Sequence, residues 1–345
     1  MTRAMAEITT QMVAIDPTAP DRAVMAKAAV IVRDGDLVAF PTETVYGLGA
    51  DALNPSALRR IYDVKGRPAD NPLILHVALR DQLALVAAAV PSLAHGLIEA
   101  FWPGPLTLVL PKSARISDLA TGGLATVAVR MPAHSVALAL IKEAATPLAA
   151  PSANRSGRPS PTTAQHVFDD LQGRIPLILD AGATTIGVES TVLDVTCAPP
   201  VLLRPGGISR EALEAVIGPL RTTADASLRQ RSPGMRYRHY SPRAHVHVLQ
   251  APQAEALQAA LAAALQRGAR VGCLLHRLEL KEVPRGVPVT RVGGGVEDYA
   301  RALFAALRGL DAHGLDVILV EGVSEEGLGL AVMDRLRRAA SPADL

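Results

Sequence analysis

Residues 37–52 read LVAFPTETVYGLGADA, and this stretch decides the class of fold. Its first four residues are apolar and predict a short strand, which runs directly into two threonines, a glutamate and a tyrosine among glycines. Hydroxyl groups at the carboxyl end of a strand in an α/β domain lie where ligands usually bind. The stretch therefore predicts a strand that delivers polar side chains to a binding site. An ordinary turn with satisfied hydroxyls is the alternative.

The chain around this stretch alternates between helical and β-like patterns. Apolar spacing predicts helices over 20–33, 81–101, 134–145 and 161–172, the last with Thr162 or Thr163 as its N-cap. Short apolar runs predict further strands over 73–77, 106–110, 126–130, 148–150, 177–179 and 191–195. Such a mixture indicates an α/β domain. It leaves open which strands pair in parallel.

The length of 345 residues indicates about two domains. We place the first domain at 1–218 and a linker at 219–243, because 221–243 is rich in arginine and proline and has no apolar periodicity. A second, smaller doubly wound α/β domain is predicted over 244–345. Its strands are expected at 246–249, 271–275 and 317–321, and its helices at 253–266, 297–311 and near 328–339.

Composition excludes several classes of protein. Hydrophobic residues make up 49% of the chain, and 35 basic against 33 acidic residues leave a net charge of +2, which argues against wholesale charge-driven binding to nucleic acid or membrane. The two cysteines, Cys197 and Cys273, support neither a disulfide framework nor a thiolate zinc site. With no predicted membrane span or signal peptide, we expect a soluble cytoplasmic protein.

Two segments carry cations beside strands. Lys65 and Arg67 flank a glycine, with Asn71 and His76 close behind, and two cations on flexible backbone suit a polyanion such as a triphosphate. A solvated surface turn is equally compatible with that segment alone. Arg130 ends an apolar strand, so it is expected to be partly buried and to need a carboxylate partner. That partner is either an internal acid or a carboxylate of a ligand.

Three further segments add hydroxyls, arginines and aromatic residues. They are APSANRSGRPSP at 150–161, GVESTVLD at 187–194 followed by LLRPGGIS, and SPGMRYRHYSP at 232–242 in the linker. Together the segments predict one site rich in hydroxyls and cations, without a nucleophile–base pair or a protein metal cage. Such a site suits nucleotide phosphates and a small zwitterion, with catalysis by positioning and charge stabilisation.

These segments resemble a known family. FPTETVYGLG, KGRP followed by NPLI, WPGPLT, VRMP, PSANRSG, STVLDV and LRPG are similar to the YrdC-like domain of L-threonylcarbamoyladenylate synthases, nearly continuously over 22–210. The linker and the domain after it resemble the long, two-domain form of that family. The resemblance implies a twisted YrdC-like α/β catalytic domain followed by a Rossmann-like C-terminal domain.

The resemblance also implies a reaction and its partners. L-threonine, bicarbonate and ATP would be joined into threonylcarbamoyl-adenylate with release of pyrophosphate, and Mg²⁺ would be held mainly by the ATP phosphates rather than by protein residues. The product would pass to a tRNA threonylcarbamoyl transferase complex, which modifies the adenosine beside the anticodon, and a contact with tRNA is expected.

Residue roles follow from the same resemblance. Lys65 and Arg67 would be catalytic by neutralising the leaving pyrophosphate, and the linker would close as a lid. The residues implied for L-threonine are Thr44, His76, Arg130, Ala150 and Ser190. The residues implied for ATP are Lys65, Arg67, Asn71, Thr126, Ser152, Asn154, Ser160, Arg204 and either Tyr237 or Tyr240.

Two other functions compete with this one. The related domain of hydrogenase maturation proteins uses carbamoyl phosphate, but it is normally fused to acylphosphatase and zinc-finger modules that this sequence does not show. An RNA-binding module with a basic concave face is the second alternative, and the near-neutral net charge weakens it.

Overall fold

The computed structural model describes residues 8–222, 228, 231–232, 240–250 and 253–340. Within them, eleven strands form one mixed sheet in the order β1-β8-β2-β3-β7-β4-β6-β5-β9-β10-β11, and four later strands form a second sheet. This confirms an α/β fold. The strands of the first sheet are β1 Gln11–Ala14, β2 Val38–Phe40, β3 Gly47–Asp51, β4 Ile74–His76, β5 Leu106–Pro111, β6 Thr126–Arg130, β7 Leu148–Ala149, β8 Leu177–Asp180, β9 Thr191–Asp194, β10 Val201–Arg204 and β11 Arg221–Thr222.

Helices cover this sheet, and several begin at residues that the sequence marks as caps. Asp21 accepts a hydrogen bond from the Val24 amide at 3.0 Å, and Thr163 accepts one from the His166 amide at 3.3 Å, so Thr163 rather than Thr162 is the N-cap. The helices are α1 Arg22–Arg33, α2 Pro55–Lys65, α3 Leu83–Val86, α4 Ser92–Phe101, α5 Asp118–Thr121, α6 Ser135–Ala144, α7 Ala164–Leu171 and α8 Arg210–Ile217.

The single helix predicted over 81–101 is wrong. The chain forms a 3₁₀ turn at Arg80–Gln82 and the short α3, becomes extended at Ala87, and starts α4 only after Pro91. Proline has no amide hydrogen and cannot continue a helix through its own position, but it fits well just before a first turn. Pro91 therefore separates two helices that share one apolar pattern.

The sequence also hid a strand. Residues 47–51 form β3, which pairs antiparallel with β2. The glycines there mask the β-pattern, because they are required for close packing: a Cβ at Gly49 would lie 2.7 Å from Phe40 Cε1. The polar segment 41–46 is thus the turn of a hairpin. Strand β1 and helix α2 were likewise not predicted.

The second domain matches its prediction closely. Its sheet is fully parallel with the order β12-β15-β13-β14. Its strands are β12 His245–Leu249, β13 Val271–Leu275, β14 Val289–Arg291 and β15 Val317–Glu321, and its helices are α9 Ala254–Gln266, α10 Val296–Asp311 and α11 Gly329–Ala339. None of the described helices has the length and apolar character that crossing a membrane requires.

The two domains pack directly on each other. Val45 and Val188 of the first domain belong to the same buried cluster as Phe304 of α10 and Tyr240 of the linker. Gly187 lies so close to α10 that a Cβ there would come within 2.4 Å of Arg301 Cα. Strand β11 pairs with β10, so the start of the predicted linker extends the first sheet. The domain boundaries themselves stay predictions.

Candidate active site

One cleft gathers most of the residues that the sequence singled out. This central cleft has a cavity volume of about 60 Å³ and lies at the hairpin turn after β2, the ends of β4, β6 and β10, and the loops after β7 and before β9. It is lined by Thr42, Thr44, Val45, Gly47, Arg67, Ile74, His76, Arg130, Ala150, Pro151, Ser152, Asn154, Arg158, Ser160, Glu189, Ser190, Arg204 and Tyr240.

Four predicted site residues are not part of this lining. Tyr237 lies outside the described residues. Lys65 and Asn71 are buried behind the wall. Thr126 begins β6, four residues before Arg130, and therefore lies roughly 13 Å from it along the strand. The β4–β6 register pairs Ala128 with Ile74, which puts Thr126 level with residue 72, beside the turn that contains Arg67.

Lys65 supports a loop of the cleft from behind. It ends α2, and its Nζ donates to the carbonyl oxygens of Ser152 and Asn154. Burial, and then the neighbouring Arg67, hold the pKa of Lys65 well below its usual value. The Ser152 hydroxyl donates to Asn154 Oδ1 at 2.6 Å, and Asn154 Nδ2 donates to the Arg158 carbonyl at 2.8 Å. The loop after β7 is therefore rigidly held, with its Ser152 and Asn154 side chains on the cleft.

Arg67 presents a buried cation to the cleft. The turn that carries it starts at Gly66, which ends α2 with a φ of 61°. Arg67 Nη2 donates to the Pro72 carbonyl at 2.8 Å, and its Nε donates to the Asn71 carbonyl at 3.3 Å. Burial lowers the pKa of Arg67 to about 10, so it stays charged at neutral pH. The guanidinium is fixed in direction and only partly neutralised.

Arg130 is held by three different groups. Its Nε donates to the Gly104 carbonyl at 3.1 Å, its Nη1 donates to Thr44 Oγ1 at 2.9 Å, and its Nη2 lies 2.6 Å from Glu43 Oε1. The internal partner left open by the sequence is thus Glu43. A guanidinium carries five N–H groups, so these contacts do not exhaust it. Arg130 is both anchored and able to receive a second carboxylate.

His76 is a neutral imidazole beside this arginine. It is 3% exposed, and its Nδ1 lies 3.3 Å from the Ile74 carbonyl oxygen. Burial, reinforced by the charge on Arg130, lowers the pKa of His76 to about 3. At neutral pH it can exchange hydrogen bonds with a polar ligand without adding charge.

Ser190 and Arg204 form one unit at the other side of the cleft. Arg204 donates from Nε and Nη2 to the Ser190 carbonyl at 3.2 and 2.9 Å, and Nη2 also reaches Ser190 Oγ at 3.1 Å. The Ser190 hydroxyl lies 2.7 Å from the hydroxyl of Thr107. Burial lowers the pKa of Arg204. The arginine is therefore oriented by the backbone just before β9.

Four charged residues of this region were not predicted as site residues, namely Glu43, Arg158, Glu189 and Arg335. Glu189 accepts a hydrogen bond from Ser160 Oγ at 2.5 Å and another from Arg335 Nε at 2.7 Å. Glu43 and Glu189 lie inside the polar segments quoted above, so their position in the sequence pointed to them. Arg335 had no such mark, because it is one of several arginines on a C-terminal helix.

Tyr240 brings the linker to the cleft. It is 4% exposed, stacks on Phe304 with ring centroids 5.3 Å apart, and has the Arg335 guanidinium 5.4 Å from its ring centre. Its φ of 67° is unusual for a residue with a side chain. The contacts with Phe304 and Arg335 hold the ring in place. Of the two linker tyrosines proposed for ATP, Tyr240 is the one that lines the cleft within the described residues.

The charge of the central cleft is positive. Four arginines line it, Arg67, Arg130, Arg158 and Arg204, and Glu189 is the carboxylate in the lining. Arg130 and Arg158 are paired with Glu43 and Asp170, which do not line the cleft. Among the described residues there is no group of three or more His, Cys, Asp or Glu side chains that could hold a metal ion. The cleft suits a ligand that brings several negative charges, together with a carboxylate of its own for Arg130.

A second cleft lies in the C-terminal domain. This C-terminal cleft runs along the carboxyl ends of β13 and β15 and the start of α10. The Glu321 carboxylate lies there, 4% exposed, and accepts hydrogen bonds from the amides of His276, Arg277 and Leu278 at 2.7 to 3.0 Å. Three converging backbone amides form an anion seat. In this domain the seat is filled by a side chain of the protein.

Comparison with known proteins assigns both domains. Residues 30–206 match the family model described as Telomere recombination, and residues 208–341 match the model described as Threonylcarbamoyl-AMP synthase, C-terminal domain. The chain is similar to the threonylcarbamoyl-AMP synthase of Pyrococcus abyssi, with 52% identity over 91% of this chain and 93% of the relative. It is also 48% identical to that of Bacillus subtilis over 92% of each chain.

A solved structure shares the whole architecture. The crystal structure of P. abyssi Sua5 complexed with L-threonine matches with a TM-score of 0.91 and 49% identity, covering 96% of this chain and 97% of the other. The match includes both domains, so their mutual arrangement is part of the shared architecture.

Proposed function

The chain belongs to the threonylcarbamoyl-AMP synthase family, and we propose that its central cleft joins L-threonine, bicarbonate and ATP into threonylcarbamoyl-AMP with release of pyrophosphate. The observation that carries this proposal is the content of the central cleft: four arginines, several hydroxyls and one carboxylate. A triphosphate and the carboxylate of an amino acid together supply the negative charges that these arginines can bind.

Threonine binds, in this proposal, at the Arg130 side. Its carboxylate pairs with the N–H groups of Arg130 that Glu43, Thr44 and Gly104 leave available. The neutral His76 and the Ser190 hydroxyl offer hydrogen bonds to the remaining polar atoms, and the backbone at residue 150 completes the wall. Threonine complexed with the similar P. abyssi protein supports this half of the proposal.

ATP binds at the side of Arg67, Arg204 and the 152–160 loop. Two arginines and the hydroxyls of Ser152 and Ser160 give the charged and neutral donors that phosphate oxygens accept. Asn154 shares that wall, and Lys65 holds its backbone through the Ser152 and Asn154 carbonyls. Asn71 accepts from Arg67 through its carbonyl, so it supports the cation. Tyr240 lines the cleft on this side, and we place the nucleoside beside it.

The chemistry needs positioning and charge stabilisation. The unprotonated amine of threonine adds to the carbon of carbon dioxide and loses one proton to solvent, or it adds to the carbon of bicarbonate with loss of water. Either route gives a carbamate. A carbamate oxygen then attacks the α-phosphorus of ATP, and the bond to the β-phosphate oxygen breaks as pyrophosphate leaves. Arg67 and Arg204 stabilise the charge that develops on the transferred and leaving phosphates.

Any Mg²⁺ enters this cleft as part of the nucleotide. The donor set of the cleft consists of cations, hydroxyls and one carboxylate that Arg335 already neutralises, which does not fit a protein-held divalent ion. We therefore assign no metal ligand to the protein, and no step above passes through one.

The product is a mixed anhydride that decomposes in water. A second protein must therefore use it before it hydrolyses. We propose that a transferase passes the threonylcarbamoyl group to the adenosine beside the anticodon of tRNA, in the cytoplasm. The lid that shields the carbamate would be the linker. Its residues 223–227, 229–230 and 233–239 lie outside the described residues, and Tyr240 is a described linker residue that lines the cleft.

Pyrophosphate release from MgATP tests the activity. The full chain should release pyrophosphate only when threonine and bicarbonate are both present, and omission of either should reduce release to the background. Release without threonine would contradict the proposal. No release under any condition, together with steeply salt-dependent binding of RNA, would favour an RNA-binding protein instead.

A further inference from the structure

A buried arginine of the C-terminal domain reaches into the wall of the central cleft. Arg335 lies on α11 and is 1% exposed. Its Nε donates to Glu189 Oε2 at 2.7 Å, its Nη1 donates to Asp334 Oδ2 at 2.6 Å, and its Nη2 donates to the Pro205 carbonyl at 2.9 Å. Two of these three contacts cross from one domain to the other.

Each contact across the interface ends next to a residue proposed for ATP. Glu189 accepts a hydrogen bond from Ser160 on its other oxygen, and Pro205 directly follows Arg204. The guanidinium of Arg335 also lies over the Tyr240 ring. The opposite half of the cleft is independent of it, since Arg130 is held by Glu43 and other groups of the first domain.

We propose that Arg335 is a positioning residue through which the C-terminal domain sets the nucleotide half of the central cleft. It holds Glu189, the Pro205 carbonyl and the Tyr240 ring, so that Ser160, Arg204 and Tyr240 face ATP in fixed directions. That the ligand of this half is ATP rests on the proposed function. The connection between the two domains rests on the contacts alone.

The contact between Arg335 and Glu189 affects ATP binding through the balance of charge in the cleft wall. Burial by itself raises the pKa of Glu189, but Arg335 and Arg204 bring it below the usual value, so the carboxylate is ionised. With Arg335 present, Glu189 has a dedicated counterion at 2.7 Å. Without Arg335, the buried carboxylate would pair with Arg204 and compete with the phosphates for it. Loss of Arg335 should therefore weaken ATP binding far more than threonine binding.

The chain offers two matched controls. Arg338 lies on the same helix and donates to the Asp334 carboxylate, so this contact lies within α11. Arg301 crosses the interface and donates to the Thr185 carbonyl at 3.0 Å, away from Glu189. Arg338→Met removes a helix charge, and Arg301→Met removes an interface bond, without disturbing the positioning contacts.

The experiment compares substrate binding by full-length variants. ATP binding is measured by calorimetry with threonine present in degassed, bicarbonate-free buffer, and threonine binding is measured separately. For Arg335→Met we expect the ATP dissociation constant and the KM for ATP to rise about tenfold or more, with threonine affinity within about twofold. Arg338→Met and Arg301→Met should leave both affinities within about twofold.

A double variant separates positioning from mere support of the fold. Adding Glu189→Gln to Arg335→Met removes the competing carboxylate, so part of the ATP affinity should return, whereas two purely destabilising changes would add. If Arg335→Met does not fold, Arg335→Lys and Glu189→Gln alone carry the test, and both should weaken ATP more than threonine. Equal loss of both substrates, or an equal ATP effect in Arg301→Met, would overturn the inference.

These readouts stay separate from the proposed reaction. A wild-type chain that binds ATP but makes no pyrophosphate with threonine and bicarbonate would refute the proposed function. The selective loss of ATP affinity in Arg335→Met would still be measured in that protein. Unchanged ATP affinity in a folded Arg335→Met variant would refute the positioning role even if the wild type is fully active.

Discussion

The central cleft and the C-terminal cleft occupy similar places in their sheets and differ in what fills their polar groups. At the C-terminal cleft, Glu321 occupies the three backbone amides that could seat an anion. At the central cleft, Arg67 and Arg130 use only part of their donors on carbonyls and hydroxyls. The comparison teaches that the position at the end of a sheet is insufficient to make a binding site. The polar groups there must also have hydrogen-bond donors that the protein itself does not use.

The largest expected effect is at Arg130, the cation that we propose for the threonine carboxylate. Arg130→Ala should lower kcat/KM for threonine by about a hundredfold or more, because a buried charged partner of a carboxylate is lost. Calorimetry with threonine measures the binding part. Arg60→Ala, which removes a surface pair with Asp36, is the matched control and should leave threonine affinity unchanged.

Stability must be separated from binding in that variant, because Glu43 would remain buried without its counterion. Adding Glu43→Gln to Arg130→Ala should restore part of the free energy of unfolding and none of the threonine binding. Threonine affinity that returned with stability would mean that Arg130 only supports the fold, and the contrast between the clefts would fail.

The second effect concerns pH and His76. Its pKa is about 3 in the folded protein and about 6.5 in the unfolded chain, so the unfolded chain binds the extra proton between these values. Stability from the neutral imidazole is complete above pH 6.5 and is lost as the pH falls, by about 2 kcal/mol between pH 6.5 and 5.

Urea unfolding at several pH values measures this. His76→Gln should flatten the slope between pH 6.5 and 5, while His313→Gln, at an exposed site, should keep the wild-type slope. His166, whose pKa burial lowers to about 4, contributes to the slope of all three proteins. An unchanged slope in His76→Gln would show that the imidazole is not desolvated beside Arg130.

The third effect tests the filled seat. Glu321→Gln should reduce the free energy of unfolding by about 1–3 kcal/mol, because a charged acceptor of three partly buried amides becomes neutral. KM values for ATP and threonine should not change. If the variant instead gained measurable affinity for inorganic phosphate without losing stability, Glu321 would be a plug of a working site rather than part of the fold.

The smallest effect is at Arg277, an exposed cation on the rim of the C-terminal cleft. Arg277→Ala should change the free energy of unfolding by less than about 0.5 kcal/mol, as surface substitutions usually do, and both KM values should stay within about twofold. Arg67→Ala, measured in parallel, should raise the KM for ATP. Similar KM changes in the two variants would erase the distinction between the clefts.

The sequence revealed residues whose role is local and missed those whose role depends on distant partners. Arg130 could be predicted as a buried cation, because a strand pattern ends on it. Its partner Glu43 could not be assigned, since 87 positions separate them and no periodicity connects them. Arg335 reaches Glu189 across 146 positions and two domains, and nothing distinguishes it among the arginines of α11.

Local chemistry also explains the errors in the predicted secondary structure. The apolar spacing on either side of Pro91 is helical, and it concealed the break that proline imposes. The glycines of β3 removed the alternation that identifies a strand, because Phe40 packs against them. In the C-terminal domain, where strands and helices have ordinary composition, the predicted elements agree with the structure to within about two residues, although β14 was not predicted.

Gly187 gives the interface an evolutionary consequence. Its φ of 83° favours glycine, and the approach of α10, where a side chain would collide with the Arg301 backbone, requires it. A lineage that keeps its second domain docked in this way must retain glycine at this position. A lineage that discarded the domain would lose the steric constraint and could adopt asparagine there. Asparagine at this position in an ancestral sequence would thus indicate that its two domains were not docked in this way.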